Sequence, residues 1–304
     1  WRFNAIVNYL LFVIGYRMKL FKTRFAWAIY IIGAALVFLY VLFPSELAKQ
    51  YLANMIRQMH PNLTMEIGRL KLGFPPALSL YDVHIYHSER TIADLENVKI
   101  SPHILSLFMA TTHISFKGNG YGGNFKGDAD IIKKAGERGI VIDADLAGIQ
   151  VNQLEALEAF TTHRLSGILD GTVTLTTQVP QQALTGDLVL TDGKIELSPP
   201  LLAQRELTFD SIEAQLIFNG QSLTIEHCEL IGNQLDGQVA GSIRLGNHSS
   251  SKILDLTGNI RPHAEFLARL GNQVPKLLES KNLQAQGVPF KIKGPMESPT
   301  YSFY

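Results

Sequence analysis

The amino-acid sequence predicts a mainly β protein, in which one N-terminal transmembrane helix is followed by a long antiparallel, bent sheet, trough-like or taco-like, with a few short helices. Three observations support this prediction. A charge-free apolar run lies near the N-terminus, the spacing of apolar residues changes from helical to alternating after Pro61, and turn residues separate the alternating segments. Such alternation is typical of antiparallel strands with one solvated face. We therefore divide the chain into residues 1–24, 25–43, 44–61 and 62–304.

The predicted membrane anchor is the run from Phe25 to Phe43, which contains no charged residue and ends before Pro44. As a helix it extends roughly 28 Å, which matches the hydrocarbon core of a bilayer. Basic residues precede it and no acidic residue occurs before Glu46, so the positive-inside rule keeps the N-terminus in the cytoplasm and exports the rest. The residues assigned to the anchor and its borders are Arg24, Phe25, Trp27, Tyr40 and Phe43.

Two alternatives to the anchor are weaker. A buried core helix is rarely so long and free of charge, and a cleavable signal peptide usually has an apolar core of about 7 to 15 residues. Trp27 and Tyr40 lie where aromatic belts form, although ordinary lipid-facing positions explain them equally well. The role of the shorter apolar piece from Ala5 to Tyr16 is left open, as is the place of residues 1–18 in the mature protein.

Composition excludes one class of partner and one class of covalent bond. The chain balances 27 basic against 27 acidic residues, whereas a nucleic-acid-binding domain normally carries a basic excess, so no nucleic acid is expected as a partner. Cys228 is the single cysteine, which excludes an internal disulfide. Its alternating surroundings predict a strand and favour a buried apolar role over a reactive thiol.

Helical spacing predicts an amphipathic helix from Ser45 to His60, whose apolar face lies on the bilayer or, as we favour, on the domain beyond. Further short helices are expected in the segments His103–Met109, Asn152–Phe160 and Pro262–Leu270. Turn residues at Gly118–Gly123, Asp192-Gly193 and Asn219-Gly220 are expected to join neighbouring strands, as in a meander.

A change of apolar parity predicts a β-bulge near Asp210 and Ser211, and bulges bend a sheet. Because the few short helices are too small to cover ten or more strands, the sheet must curve into a sandwich, barrel or trough. A closed arrangement makes the apolar face a core, whereas an open one leaves a stripe able to bind an apolar ligand.

No motif predicts a catalytic, cofactor-binding or metal-binding residue, and we expect the protein not to be an enzyme. The glycine-rich stretch Lys117–Gly127 leads into an alternating segment rather than a helix, which favours a hairpin over a phosphate loop. His84 and His87 fall on opposite faces of a strand, so they cannot chelate one metal. The pairs Asp128/Asp130 and Asp143/Asp145 do share a face, yet solvated surface explains them better than calcium ligation.

Several segments, taken in order, resemble protein N of the bacterial type II secretion system (GspN), in its form with one membrane helix and a β-rich periplasmic domain. They are FPPALSLYDVHIYH, ADLENVKISPHILSLF, GNGYGGNFKGDADI, LSGILDGTVTL, NQLDGQVAGSIRL, TGNIRPHAEFLARLG and PFKIKGPMESPTY. The likeness covers nearly everything from Phe25 to Tyr304. Its specificity lies in the order and spacing of the segments rather than in one motif.

The resemblance implies a single-pass accessory of the bacterial inner (plasma) membrane with a periplasmic C-terminal domain, which supports export of folded proteins across the outer membrane. Its implied partners are other type II secretion components and the inner membrane. Such domains also look like the AsmA and TamB class, whose long bent sheets form apolar troughs thought to move lipid, so lipid acyl chains are a further expected partner. No catalytic residue is implied.

Overall fold

The computed structural model describes residues 26–27, 30–31, 33–35, 38, 40, 42–59, 62–73, 77–87, 90–134, 137–155, 163–178, 181–201, 204–245, 252–270, 287–296 and 298–303. The chain divides into two compact units, residues 1–48 and 49–304. The first unit contains the predicted anchor, and the second contains the β-domain.

In the first unit, the described residues between 26 and 40 are helical. Their large apolar side chains are exposed, among them Trp27 at 61% and Phe38 at 66%. Among the described residues, no helix is both long enough and apolar enough to cross a membrane. The transmembrane helix over residues 25–43 therefore stays a prediction.

Helix α1 spans Ser45–Met59, as the helical spacing predicts, and His60 lies outside the described residues. Its apolar side is covered only in part, because Leu52 and Ile56 are half-buried whereas Tyr51 is 71% exposed. The two locations expected for this face, on the bilayer or on the domain beyond, both stay predictions.

The β-domain is one antiparallel sheet in which each strand pairs with the next along the chain. The fourteen strands are β1 (Leu63–Gly73), β2 (Ala77–His87), β3 (Arg90–Pro102), β4 (Thr111–Gly120), β5 (Gly123–Lys134), β6 (Glu137–Gln150), β7 (Arg164–Gln178), β8 (Gln181–Leu201), β9 (Gln204–Phe218), β10 (Ser222–Gly232), β11 (Leu235–Arg244), β12 (Ile253–Pro262), β13 (Val288–Pro295) and β14 (Thr300–Phe303). The predicted mainly β class and the single long meander are confirmed.

Two of the three predicted turns are hairpin turns. Tyr121 and Gly122, with φ of 54° and 74°, connect β4 to β5, so the glycine-rich stretch is a hairpin. Between β9 and β10, the Asn219 side chain accepts hydrogen bonds from the backbone N–H groups of Gln221 and Ser222 at 3.1 and 2.8 Å. This arrangement is an Asx turn, in which the side chain replaces a backbone acceptor.

The third predicted turn is wrong, because Asp192 and Gly193 lie inside β8. Together they oppose the single residue Gly167 of β7, which makes a bulge, and Asp192 takes a φ of 51°. An Asp-Gly pair suits both a hairpin and a bulge, since both require positive φ and Asp tolerates it. The bulge predicted near Asp210 is confirmed: Asp210 is the extra residue of β9 between the pairs Ser211–Ile231 and Phe209–Gly232. Such irregularities bend the sheet.

The helices beyond α1 are short, as predicted. A 3₁₀ helix spans Ile104–Phe108, a second spans Val151–Gln153, and α2 spans Ala264–Leu270. The second ends at Gln153, and residues 156–160 of the expected Asn152–Phe160 helix lie outside the described part. Helices of this size cover only a small fraction of a fourteen-stranded sheet.

Candidate functional site

The register assigns apolar and polar side chains to opposite faces of the sheet. The apolar face carries residues such as Phe116, Val173 and Leu216, while the polar face carries their chain neighbours, such as Lys117, Thr174 and Gln215. This division follows from the two-residue period of a strand. We call these surfaces the apolar face and the polar face.

Most of the apolar face is half-buried rather than buried. The side chains of Leu146, Leu188 and Val239 all lie between the buried and exposed classes. The buried apolar residues among those described form small groups towards the two ends and the middle of the strand order: Leu70, Ala77, Leu80, Val83, Ile149, Val151, Leu190, Phe209, Leu254, Phe266, Leu267, Val288 and Phe290. A closed sandwich would bury the whole inner face. The described residues therefore leave much of this face accessible.

Phenylalanine rings lie over glycines on the apolar face. Phe116 is directly opposite Gly127, and Phe125 is directly opposite Gly118 on the same two strands. The two ring centroids are 6.3 Å apart. A Cβ atom at Gly127 would lie 2.7 Å from Phe116 Cζ and overlap the backbone, and one at Gly118 would lie 2.6 Å from Phe125 Cζ. These rings cover backbone of β4 and β5 that a glycine, without a side chain, would leave exposed.

The two edges of the sheet differ in protection. On β1, the Lys49 ammonium of α1 donates a hydrogen bond to the Gly68 carbonyl at 2.7 Å, so part of this edge is already occupied. On β14, all four residues are exposed, with Tyr301 at 61% and Phe303 at 50%. The strand itself contains no Lys or Pro, the residues that usually discourage pairing at an edge.

Cross-strand ion pairs connect many strands on the polar face. His84 pairs with Asp94 at 3.1 Å, Lys293 with Asp255 at 3.7 Å, and His113 with Asp130. Such exposed pairs each contribute little free energy, about 0–1 kcal/mol. The register places these opposite charges directly across from each other on neighbouring strands, and such pairs stabilise a sheet.

The four aspartates singled out in the sequence lie on this polar face. Asp128 and Asp143 are direct cross-strand neighbours, and each accepts a 2.6 Å hydrogen bond, from Ser115 and Thr174 respectively. Asp145 lies 3.6 Å from the Lys126 ammonium. Within the described part of the chain, no three His, Cys, Asp or Glu side chains are arranged to hold a metal ion.

Asp236 joins β11 to the residues that precede α2. Its carboxylate accepts hydrogen bonds from Arg261 at 3.0 Å and from the Gly232 N–H at 3.3 Å, and it lies 3.1 Å from His263 Nε2. Burial raises the pKa of this carboxyl, but the hydrogen bonds from His263, Arg261 and Gly232 outweigh it and hold the pKa below its ordinary value. The cluster therefore connects β11 to the residues that precede α2.

Cys228 lies in β10 and is half-buried on the apolar face, opposite Val239 and Ala214. Burial raises the pKa of its thiol, which lowers the thiolate fraction. The predicted strand is confirmed, and these surroundings agree with the apolar role expected for the side chain.

Of the five residues assigned to the membrane anchor, the structure describes three. Trp27 and Tyr40 are helical and are 61% and 58% exposed, while Phe43 follows the helical residues and is half-buried. Arg24 and Phe25 lie outside the described residues. Their role at the membrane stays a prediction.

Sequence reasoning did not identify the Phe–Gly pairs, the contact of Lys49 with β1, or the Asp236 cluster. Each joins residues that are 7 to 27 positions apart, so only the register or the fold brings them together. Comparison with protein-family models, curated proteins and solved structures finds no match to this chain.

Proposed function

We propose that this protein is an accessory component of the bacterial type II secretion system that is anchored in the inner membrane and supports export of folded proteins from the periplasm. The proposal rests on the resemblance of its ordered segments to protein N of that system. The fourteen-stranded meander is the kind of β-rich domain that the resemblance implies. The observation that carries a docking role is the exposed strand β14 at one edge of the sheet.

Attachment to the inner membrane is part of this proposal. It is supported by the charge-free run from Phe25 to Phe43, by the basic residues before it, and by the exposed apolar side chains of the helical residues Trp27, Tyr30 and Phe38. Large apolar side chains exposed together mark a surface that contacts lipid or protein. The orientation that follows from the charges has a cytoplasmic N-terminus and a periplasmic sheet.

Docking through β14 requires only an extended segment of a partner secretion component. The backbone groups on the outer side of an edge strand can form a ladder with such a segment, and the partner's side chains can contact Tyr301 and Phe303. The β1 edge is less suitable, because Lys49 already occupies a backbone carbonyl there.

The test is to place a positive charge on this edge and measure secretion. We expect Tyr301→Lys and Phe303→Lys to retain cargo proteins in the periplasm, since inward-facing charge at an edge prevents strand pairing. Ile231→Lys is the matched control, because Ile231 is 45% exposed but lies on an interior strand. Normal secretion by both edge variants, at normal protein levels, would exclude docking through β14.

A second function, binding of lipid acyl chains for transport between the two membranes, is favoured by the half-buried apolar face. Fourteen strands spaced about 4.8 Å apart make a sheet about 62 Å across. A bent sheet with an accessible apolar face over much of this width would serve as a trough for acyl chains. In-cell photo-crosslinking tests this function, with the probe placed at Leu188 or Val239 on the apolar face.

The matched controls are Asp187 and Gln238, which are chain neighbours of those two residues and are exposed on the polar face. Lipid adducts found by mass spectrometry at Leu188 and Val239 only would support the trough. Equal labelling of both faces, or none, would count against it.

In a strain that lacks the gene, lost secreted proteins with an intact outer membrane would favour the secretion role, whereas normal secretion with a leaky outer membrane would favour lipid transport.

A further inference from the structure

Three lysines form a row across neighbouring strands of the polar face. Lys99 of β3 is directly opposite Lys117 of β4, which is directly opposite Lys126 of β5. The row continues towards β1 through Ser79 to Lys71, so no acidic residue interrupts it between β1 and β5. We call Lys99, Lys117 and Lys126 the lysine row.

The lysine row is a longer run of like charges than the other described pairs on this face. Many basic residues there are opposite acidic ones, as in Asp255 with Lys293 and Asp236 with Arg261. Like charges also oppose each other in single pairs, as in Asp128 with Asp143 and Glu213 with Glu229. Like charges directly opposite each other on neighbouring strands are destabilising, because the Cβ atoms are only about 5 Å apart. The sheet supplies a counter-charge at one end of the row, where Lys126 is opposite Asp145, and a bound anion would relieve the repulsion between Lys99 and Lys117.

The carboxylates nearest to the row are already engaged. Asp145 lies 3.6 Å from the Lys126 ammonium, and Asp128 accepts a 2.6 Å hydrogen bond from the Ser115 hydroxyl. Within the part of the chain that the structure describes, neither Lys99 nor Lys117 has a carboxylate within 4 Å. Their two ammonium groups are therefore the uncompensated charges of this region.

A groove of about 460 Å³ lies over the row. Its lining combines the three ammonium groups with two hydroxyl groups and two carboxylates, from Lys99, Lys117, Lys126, Ser101, Ser115, Asp128 and Asp145. Ammonium groups joined by hydroxyl donors suit a compact, multiply charged oxygen anion, for which lysine acts as a point charge. The volume is ample for a phosphate group and its immediate substituent.

We propose that the groove over the lysine row binds a phosphate-bearing anion between the Lys99 and Lys117 ammonium groups. Ser101 is the neighbouring hydroxyl donor, while the pair of Lys126 with Asp145 borders the groove. The anion is either free phosphate or a lipid headgroup, and the two sources present the same group to the lysines. This site lies on the face opposite the apolar one, so it does not depend on either proposed function.

The experiment is calorimetric titration of the full chain in a neutral detergent, first with inorganic pyrophosphate and then with short-chain phosphatidylglycerol. Because each lysine near an anionic surface contributes about 1 kcal/mol, we expect Lys99→Gln and Lys117→Gln each to weaken binding about fivefold. Lys293→Gln is the matched control, since it removes the same charge from the same face but at a partnered residue. Binding of pyrophosphate identifies a free anion, and binding of phosphatidylglycerol alone identifies a lipid headgroup.

A second readout does not depend on the choice of probe. Without any anion, Lys117→Gln should raise the midpoint of thermal unfolding by about 1–2 °C, because it removes repulsion on both sides. When the anion is added, the midpoint of thermal unfolding should rise more for the wild-type protein than for the Lys117→Gln variant. The proposal is overturned if neither probe binds, if Lys293→Gln weakens binding as much as the two row variants, or if Lys117→Gln lowers the midpoint in the absence of anion.

Discussion

On the apolar face of the sheet, neighbouring strands meet through van der Waals contacts, as where Phe116 lies over Gly127, whereas on the polar face they meet through ion pairs such as Lys293 with Asp255. The same strands make both faces with alternate residues. Close packing is sensitive to single methyl groups, while exposed ion pairs are screened by water and ions. We therefore expect substitutions on the apolar face to have much larger effects on folding than substitutions on the polar face.

The largest effect is expected where the apolar face is fully covered. Leu80 is 1% exposed, so Leu80→Ala should lower the free energy of unfolding by about 3 kcal/mol. Leu188 is only half-buried, and Leu188→Ala should cost about half as much. Urea unfolding of the two variants measures the difference. Equal losses would mean that the middle of the apolar face is covered as completely as its end.

Adding a side chain at a glycine beneath a phenylalanine ring should have the next largest effect on stability. Gly127→Ala should lower the free energy of unfolding by about 2.5 kcal/mol, because the new Cβ overlaps the Asp143 carbonyl oxygen and lies 2.7 Å from Phe116 Cζ. Gly186→Ala is the control on the same face, since its nearest neighbours would be 3.6 Å away. Similar stability of the two variants in the same unfolding assay would rule out tight Phe–Gly packing.

On the polar face, the strongest dependence on pH should come from Asp236. Its pKa in the folded state is below its ordinary value, so its contribution to stability is present above about pH 4 and is lost as the pH falls through the folded-state pKa. Asp236→Asn should cost about 1.5 kcal/mol at neutral pH, because it weakens the contacts with Arg261 and His263. Thermal unfolding between pH 2 and 7 measures both, and a variant as acid-sensitive as the wild type would refute this role.

The smallest effect is expected at an exposed ion pair. Lys293 and Asp255 are 56% and 51% exposed and 3.7 Å apart, so Lys293→Gln should change the free energy of unfolding by less than about 0.5 kcal/mol. The same unfolding assay at low and high salt measures it. A loss of unfolding free energy comparable to that of Leu188→Ala would show that the two faces do not differ in their sensitivity to substitution.

Local patterns were sufficient to predict the strands and their faces. The alternation around Val173 and Leu216, the Asn219-Gly220 turn and the parity change at Asp210 each depend on residues close together in the chain, and the structure confirms all three. The Asp192-Gly193 pair was misassigned because the same short signal serves a hairpin and a bulge. Only the pairing of Thr191 and Lys194 with a single neighbouring strand distinguishes them.

By itself the sequence determined the mainly β class, the order of the meander and the division of side chains between two faces, because a strand's period and its turns are local properties. The tertiary structure alone decided which residues face each other across strands. The lysine row, the Phe–Gly pairs and the contact of Lys49 with the β1 edge all depend on register or on packing between distant segments. A shift of one residue in register would move every one of these side chains to another partner or another face, which is why no local pattern could specify them.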